Sequence, residues 1–274
     1  MSNPKKLYEP FLNPIPVVVA HRGDSKNFPE NTLEAFRSAT RMGVDVIETD
    51  VHLSKDGHIV IWHDSSLDRT TNCTGRVEDY TLAQLKEVDA GYSFTLDNGK
   101  TFPFRGKGIQ LATLSEALES SPTQRFNVDL KSKDRAIVGA FEKVIVDHKA
   151  EDRVLCASFH LSNLKLMRQK NKRILTSLTT LEVLGLLVRQ KLGMLPKSLA
   201  DERTLVFQVP VSQWGIKVIT PSFIKAFHDR GAIIQVWTIN DEEQMRSLFA
   251  MGVDSIMTDD PAKVIKVATE LNLR

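Results

Sequence analysis

The sequence predicts an α/β protein built as a (β/α)8 barrel of the TIM type, with a small insertion after its second strand. Three observations lead to this prediction: short β-branched runs alternate with longer amphipathic stretches, eight such runs occur, and a helix candidate follows most of them. Strands that alternate with helices pair in parallel, and eight such units favour a closed barrel. An open doubly wound sheet usually has fewer strands and a Gly-rich first turn, which the sequence lacks.

The strand candidates are separated by stretches with helical periodicity. In chain order, the predicted strands are IPVVVA, VDVIETDV, RFNVDLK, RVLCASF, RILTSL, TLVFQVP, AIIQVWTI and VDSIMT. Signals for helix starts support this division. Asn31 with Glu34 fits an N-cap and its capping-box partner, and Asn240 with Glu243 repeats the pattern. Asp260 is followed by a proline, which is typical of a first helical turn.

The irregular unit follows the second strand. About sixty residues separate that strand from RFNVDLK, and so long a connection is usually a functional loop or a small subdomain. We therefore assign residues 14–274 to a single domain, residues 64–112 to an insertion within it and residues 1–13 to an N-terminal extension.

A hairpin signal, Asp56-Gly57, opens this connection. If the turn is centred between these two residues, His63 lies directly opposite Asp50, and directly opposed residues are about 5 Å apart. A loop with an odd number of residues would shift the pairing by one.

The composition limits the class of protein. The 274 residues, 42% of them hydrophobic, can form one substantial core, and 36 Lys and Arg nearly balance 34 Asp and Glu. No long block of one sign occurs, so we expect neither nucleic acid nor an anionic membrane surface as a partner. The isolated Cys73 and Cys156 fit neither a disulfide framework nor a zinc site and favour a reducing compartment. The N-terminus lacks an apolar leader, and no run approaches roughly 18 apolar residues, so we expect a soluble cytoplasmic protein without a membrane span.

Acidic side chains are predicted on the interior face of two barrel strands. Residues alternate between the faces of a strand, so Glu48 and Asp50 share one face of the second strand. Asp129 and Lys131 share the corresponding face of the third. Buried carboxylates are costly unless a cation or basic groups neutralise them, and three carboxylates suit Mg²⁺ or Ca²⁺ rather than zinc. The alternative is an internal salt-bridge network with Arg22 and Lys131.

Two histidines are predicted to flank this acidic cluster. His21 ends the first strand, and the hairpin brings His63 back toward the tip of the second. One imidazole can deprotonate an attacking oxygen while the other protonates a leaving alkoxide. A cation, Arg22 and Lys131 can neutralise the phosphate oxygens, so the arrangement suits phosphodiester cleavage. Trp237, where the seventh strand reaches the mouth, is either core packing or one wall of a substrate cleft.

Six segments together resemble the glycerophosphodiester phosphodiesterase family. They are AHRGDSKNFPENTLEAF, GVDVIETDVHLSKDGHIVIWHD, LDRTTNCTGRV, FNVDLK, VWTIND and GVDSIMTDDP, and they span nearly the whole chain. HRG followed by PENT, then ExD and then HD in this order is a highly specific pattern.

The resemblance implies a TIM barrel with an insertion after its second strand. It also implies metal-dependent hydrolysis of glycerophosphodiesters, as small-molecule substrates, to glycerol 3-phosphate and an alcohol. Carried over by motif, His21 and His63 become the general acid and base, and Glu48 and Asp50 become ligands of a divalent cation. The third ligand of the family is commonly glutamate, whereas this sequence has Asp129. The shorter side chain requires the cation (magnesium, calcium or manganese) to lie closer to that strand or to be bridged by water.

The same resemblance assigns the remaining site residues and leaves two alternatives. Arg22 and Lys131 match phosphate-contacting positions of the family, and Trp237 matches a substrate-lining tryptophan. A lysophospholipase D-like or sphingomyelinase D-like enzyme would need an apolar channel, which residues 181–196 could line, although they equally fit an ordinary barrel helix. A catalytically inactive, phosphate-binding barrel is the least favoured alternative, because both histidines and all three carboxylates are present.

Overall fold

The computed structural model describes residues 9–12, 14–15, 17–196 and 206–274. The strands are β1 (Val18–His21), β2 (Val46–Leu53), β3 (Ile59–Ile61), β4 (Arg125–Leu130), β5 (Val154–Ala157), β6 (Leu175–Thr176), β7 (Val206–Pro210), β8 (Ser212–Gln213), β9 (Ile216–Lys217), β10 (Ile233–Trp237) and β11 (Ser255–Thr258). Eight of them are parallel and lie in the order β6-β5-β4-β2-β1-β11-β10-β7. A bridge between Ser177 and Val206 joins the two ends of this order into a nearly closed barrel, as the sequence predicts.

Ten helices accompany the strands in the described residues. They are α1 (Glu9–Leu12), α2 (Leu33–Met42), α3 (Leu82–Leu85), α4 (Leu114–Ser120), α5 (Ala136–Asp147), α6 (Leu161–Lys170), α7 (Thr180–Lys191), α8 (Pro221–His228), α9 (Glu242–Ala250) and α10 (Pro261–Glu270). No helix of the described residues is long and apolar enough to cross a membrane.

Two of the predicted helix caps are wrong by one residue. Thr32, not Asn31, caps α2, and Asp241, not Asn240, caps α9. Asp260 precedes α10 as predicted, although its side chain makes no capping hydrogen bond. The two asparagines do not cap these helices. Instead, Asn31 donates to Asp50 and Asn240 donates to Asp259, at the mouth of the barrel.

Strand alternation separates two layers of the core. Ile47 and Val51 point outward into a large hydrophobic cluster shared with the helices. Val46 points inward, into a smaller cluster inside the barrel to which α1 adds Phe11. The outward set is the one that the sequence predicts to pack under helices. Glu48 and Asp50, on the inward face, therefore lie inside the barrel.

The hairpin after β2 forms as predicted, but its register differs. Ile61 pairs with Val51, and the backbone N–H of Trp62 donates to the carbonyl of Asp50 at 2.9 Å. The predicted pairing of His63 with Asp50 is therefore wrong by one residue. The reason is an odd-length turn that ends at Gly57, whose φ of 86° is the left-handed conformation of a three-residue hairpin loop.

The stretch predicted as an insertion, residues 64–112, shares a small hydrophobic cluster with β3. This stretch holds a 3-10 turn (Val77–Asp79) and α3, and its buried side chains pack against Val60 of β3 and Trp62, which follows it; they are Leu67, Val77, Leu85, Val88, Ala90, Ile109 and Leu111. The division of the chain at residues 14, 64 and 112 stays a prediction. Residues 1–8 and 13 of the predicted extension, and residues 204–205 of the predicted sixth strand, lie outside the described residues.

Candidate active site

All eight side chains predicted for the site line one cleft of about 400 Å³ at the mouth of the barrel. They are His21, Arg22, Glu48, Asp50, His63, Asp129, Lys131 and Trp237. Most come from the carboxyl ends of barrel strands, where barrels of this type keep their active sites. His63 comes instead from the segment that follows β3.

His21 is held by the last strand of the barrel. Its Nδ1–H donates to Oδ1 of Asp259 at 2.6 Å, and its Nε2 lies 3.9 Å from Oε2 of Glu48. Asp259 directly follows β11, which pairs with β1. Burial of the ring lowers its pKa, but the hydrogen bond to Asp259 and the charge of Glu48 outweigh burial, so the pKa of His21 is raised. One ring nitrogen is thus fixed, and the other faces the acidic side of the cleft.

The turn after His21 brings Arg22 back against the second strand. Arg22 has a φ of 60°, and its backbone N–H donates to the carbonyl of Glu48 at 2.9 Å and to Oε2 of Glu48 at 3.2 Å. Gly23 follows with a φ of 83°, and a Cβ there would lie 2.8 Å from the backbone of Ala35. The glycine of HRG is therefore required both by conformation and by the close approach of α2.

Lys131 lies between two of the three carboxylates. Its Nζ is 2.8 Å from Oδ1 of Asp50 and 2.6 Å from Oδ2 of Asp129. Asp50 also accepts from Asn31 at 2.9 Å, and Nε of Arg22 lies 3.5 Å from it. Burial alone would raise the pKa of Asp50, but Lys131 and Arg22 hold it below its usual range. Asp50 is therefore a well-compensated anion, as the predicted salt-bridge network would require.

Glu48 and Asp129 are less well compensated. Burial, together with the charge of Asp50, raises the pKa of Glu48 to about 8. Burial also raises the pKa of Asp129, whose Oδ1 is buried without a hydrogen-bond donor, as is Oδ1 of Asn127. Within the described residues, no three acidic, histidine or cysteine side chains form a ready metal-ligand set. The cleft nevertheless contains carboxylate and amide oxygens that the salt bridges leave unsatisfied.

A chain of four charged partners orients His63. Its Nδ1–H donates to Asp64 at 2.5 Å, and Asp64 accepts from Arg69 at 2.5 Å. Arg69 reaches Glu30 at 2.6 Å, and Glu30 accepts from Nη1 of Arg22 at 2.8 Å. The second histidine is thus tied to the HRG turn through the insertion, not through Asp50.

Five residues of this arrangement were missing from the predicted site. They are Glu30, Asn31, Asp64, Arg69 and Asp259. Asn31 belongs to the PENT motif, where its sequence context favours a helix cap instead of a site residue. Asp259 follows the tip of the eighth strand, which a closed barrel places beside the first.

The other side of the cleft is apolar. Trp237 lies at the end of β10, and further apolar side chains come from α7 and from the β8–β9 hairpin; they are Val183, Leu184, Leu187, Val188, Trp214 and Ile216. Helix α7 is therefore both a barrel helix and, through these four of its side chains, a wall of the cleft. The site joins a charged, histidine-flanked floor to an apolar wall.

Comparisons with known proteins agree with this architecture. Residues 21–263 match the family model of the glycerophosphoryl diester phosphodiesterase family. A glycerophosphodiester phosphodiesterase of Bacillus altitudinis is 33% identical over 258 residues, which cover 93% of this chain and 98% of that protein. One from Caldanaerobacter subterraneus subsp. tengcongensis is 34% identical over 256 residues, which cover 92% of this chain and 97% of that protein.

A solved structure shows the same fold at a similar level of coverage. An Oleispira antarctica phosphodiesterase, in complex with the product sn-glycerol-3-phosphate, has a TM-score of 0.75 at 26% identity, over 93% of this chain and 97% of that chain. The fold and these relatives define a barrel enzyme of the phosphoric diester hydrolase class. The chain belongs to the glycerophosphoryl diester phosphodiesterase family, as the resemblance implied, and it hydrolyses glycerophosphodiesters.

Proposed function

We propose that the chain releases glycerol 3-phosphate and an alcohol from glycerophosphodiesters by the joint action of His21 and His63 with a divalent cation. The observation that carries this proposal is the meeting of both imidazoles with three buried carboxylates in one cleft. The product bound by the Oleispira antarctica relative supports the same choice of substrate.

Both histidines are oriented for proton transfer by the same kind of hydrogen bond. In each ring, Nδ1–H donates to an aspartate, Asp259 for His21 and Asp64 for His63. Because a carboxylate can only accept, this bond fixes the ring and leaves Nε2 to act. One neutral imidazole removes the proton of the attacking water, and the other, protonated, donates to the leaving alkoxide. The pair acts jointly, and the roles of the two rings are separated by the experiments below.

Two cations of the chain suit the phosphate. Nε of Arg22 makes no hydrogen bond, although it lies 3.5 Å from Asp50, so its N–H can still donate to a non-bridging oxygen. Lys131 stays protonated, because Asp129 and Asp50 outweigh burial and raise its pKa. Trp237 lines the same cleft and would pack against the substrate.

The carboxylates fit a hard divalent cation. Glu48, Asp50 and Asp129 would hold it. The Oδ1 of Asp129 has no hydrogen-bond donor and Glu48 is less well compensated than Asp50, so positive charge is lacking on this side of the cleft. An all-oxygen set favours Mg²⁺, Ca²⁺ or Mn²⁺ over zinc. When bound, such an ion supplies charge neutralisation and water activation.

The metal requirement is tested by chelation. Glycerol 3-phosphate release from glycerophosphocholine should stop in excess EDTA and return with Mg²⁺, Mn²⁺ or Ca²⁺. Glu48→Gln should weaken cation binding, measured by calorimetry, while the protein stays folded. Full activity in excess EDTA would overturn the metal dependence.

The histidine pair is tested by single and double substitution. His21→Ala and His63→Ala should each lower turnover by roughly two to four orders of magnitude, with strongly non-additive effects. A nitrophenyl phosphodiester has a leaving group that needs no proton, so it should rescue only the variant that lacks the acid. His58→Ala, at an exposed position of the hairpin turn, is the matched control. Near-normal turnover in both active-site variants would refute the paired mechanism.

A second candidate is a lysophospholipase D-like activity. The apolar wall contributed by α7 favours it, because an acyl chain needs such a surface beside the phosphodiester. A panel of choline, ethanolamine, glycerol and inositol diesters with lysophosphatidylcholine separates the two.

The two free cysteines, Cys73 and Cys156, support a cytoplasmic location as a further part of the proposal.

A further inference from the structure

Large apolar side chains are exposed on one side of the cleft. Among the described residues, eight of the twelve most exposed ones belong to α7, the segment after it, the β8–β9 hairpin and the loop after β5. We call this set the apolar rim: Phe159, Leu181, Leu184, Val188, Leu192, Met194, Trp214 and Ile216. Scattered exposed leucines are ordinary, but a concentration of this kind marks an interaction surface.

The outer face of α7 forms a continuous stripe. Leu181, Leu184, Val188 and Leu192 recur at helical spacing and are 65%, 41%, 49% and 65% exposed. The inner face of the same helix is apolar as well, since Val183 is buried. A helix that only covers a barrel would present polar residues outward, so the outer stripe serves something other than the fold.

The hairpin adds an aromatic residue at its tip. Trp214 and Gly215 form the two-residue turn between β8 and β9, with φ values of 50° and 75°. A turn of this kind favours asparagine and glycine, and a bulky residue with positive φ is uncommon. Trp214 is nonetheless 73% exposed. The turn places an indole in water where the fold gains nothing from it.

The rim is continuous with the active-site cleft. Leu184, Val188, Trp214 and Ile216 belong to both the rim and the lining of the cleft that reaches His21. The apolar surface of the rim therefore extends into the cleft. A second copy of the chain seated on the rim would instead cover the mouth of the cleft.

Among the residues that the structure describes, the charges beside the rim are positive. Arg189 and Lys191 lie in the last turn of α7, and Lys217 ends the hairpin. The one acidic residue of α7, Glu182, is bound to Arg168 at 2.6 Å and is compensated. The nearly balanced total charge of the chain, from which the sequence predicts no anionic membrane surface as a partner, hides this local excess. Two copies related by a two-fold axis would bring like charges together here.

We propose that the apolar rim docks on an anionic phospholipid surface, so that the cleft opens into the headgroup layer. Leucine and tryptophan side chains enter the interfacial region, and lysine and arginine beside them bind anionic headgroups. Phosphodiesters with one apolar substituent then reach the site directly from the lipid surface.

Vesicle binding tests the proposal with the full chain. The protein should sediment with vesicles of phosphatidylcholine and phosphatidylglycerol in equal amounts, less with pure phosphatidylcholine, and less at high salt. The rim variant Leu181→Gln/Leu192→Gln/Met194→Gln, whose three positions lie outside the cleft lining, should lose binding by roughly tenfold or more. Its hydrolysis of soluble glycerophosphocholine should be unchanged.

The control replaces three exposed leucines elsewhere, Leu96→Gln/Leu271→Gln/Leu273→Gln, and should bind like the parent protein. Equal binding of both variants, or no binding of the parent to mixed vesicles, would overturn the proposal. A parent dimer in light scattering that the rim variant converts to monomer would assign the rim to a second copy instead. Vesicle binding without hydrolysis of any phosphodiester would refute the proposed function and leave the docking surface in place.

Discussion

Replacing Asp259 with asparagine should move the pH dependence of hydrolysis to lower pH. Asparagine keeps the shape and still accepts the Nδ1–H of His21, so the ring stays oriented, but the negative charge is lost. Burial of the ring lowers the pKa of His21, and the hydrogen bond to Asp259 and the charge of Glu48 reverse that effect. With the charge removed, the effect of burial dominates and the pKa of His21 falls.

The size of the shift follows from the geometry of the pair. The two atoms are 2.6 Å apart, and a hydrogen bond to a charged group contributes about 1.5–3 kcal/mol. The side chain of Asp259 is 39% exposed, so water screens its charge and the lower end of that range applies. About 1.5 kcal/mol corresponds to about one pH unit.

The assay is kcat/KM for glycerophosphocholine across pH at a fixed divalent cation concentration. If His21 is the acid, it must be protonated, and the alkaline limb of the profile shifts to lower pH. If His21 is the base, the acidic limb shifts to lower pH. The direction is the same in both cases, and the limb that moves identifies the role. Asp260→Asn removes the same charge at the next residue and should leave both limbs in place. Fixed limbs in Asp259→Asn, or an equal shift in the control, would refute the role of Asp259.

Three further outcomes follow from the structure. Gly23→Ala should lower the free energy of unfolding in urea by about 1–3 kcal/mol more than Gly57→Ala, because both glycines have positive φ but only Gly23 faces atoms within 4 Å; equal losses would remove the packing argument. Lys131→Met strands two buried carboxylates, so the cation-free protein should lose about 3–5 kcal/mol of stability and added Mg²⁺ should restore part of it; unchanged thermal unfolding would contradict the role of this lysine. Burial raises the pKa of the Cys156 thiol, so iodoacetamide should label Cys73 alone in the native protein and both thiols after denaturation, as read by mass spectrometry.

The barrel and its charged floor were accessible from the sequence because both depend on local patterns. Alternation along a strand decides which side chains face inward, and it placed Glu48 and Asp50 in the cleft. The hairpin register was not accessible, because it depends on the number of residues in the turn rather than on their types. With the register shifted by one residue, Trp62 rather than His63 bonds to the backbone of Asp50, and the Nδ1–H of His63 donates to the adjacent Asp64.

The supporting residues of the site depend on tertiary closure. Asn31 and Thr32 both fit a helix cap; in the structure Thr32 accepts from the backbone N–H of Ala35, and Asn31 donates to Asp50 instead. Asp259 reaches His21 because β11 closes on β1, across more than two hundred residues of chain. For α7 the sequence offers both roles without deciding between them, since an apolar face has the same pattern whether it covers a core or lines a cleft.

The two histidines of the proposed catalytic pair lie in parts of the structure that differ in their resistance to unfolding. His21 ends a central strand of the barrel, whereas His63 follows β3 beside the small separate cluster of residues 64–112. Sub-global opening of that cluster needs less free energy than opening of the barrel, because it buries far fewer apolar side chains. Catalysis should therefore disappear at a denaturant concentration where far-ultraviolet circular dichroism still reports an intact barrel. We therefore expect a reversible inactive state whose population depends on the stability of the small cluster rather than on that of the whole fold.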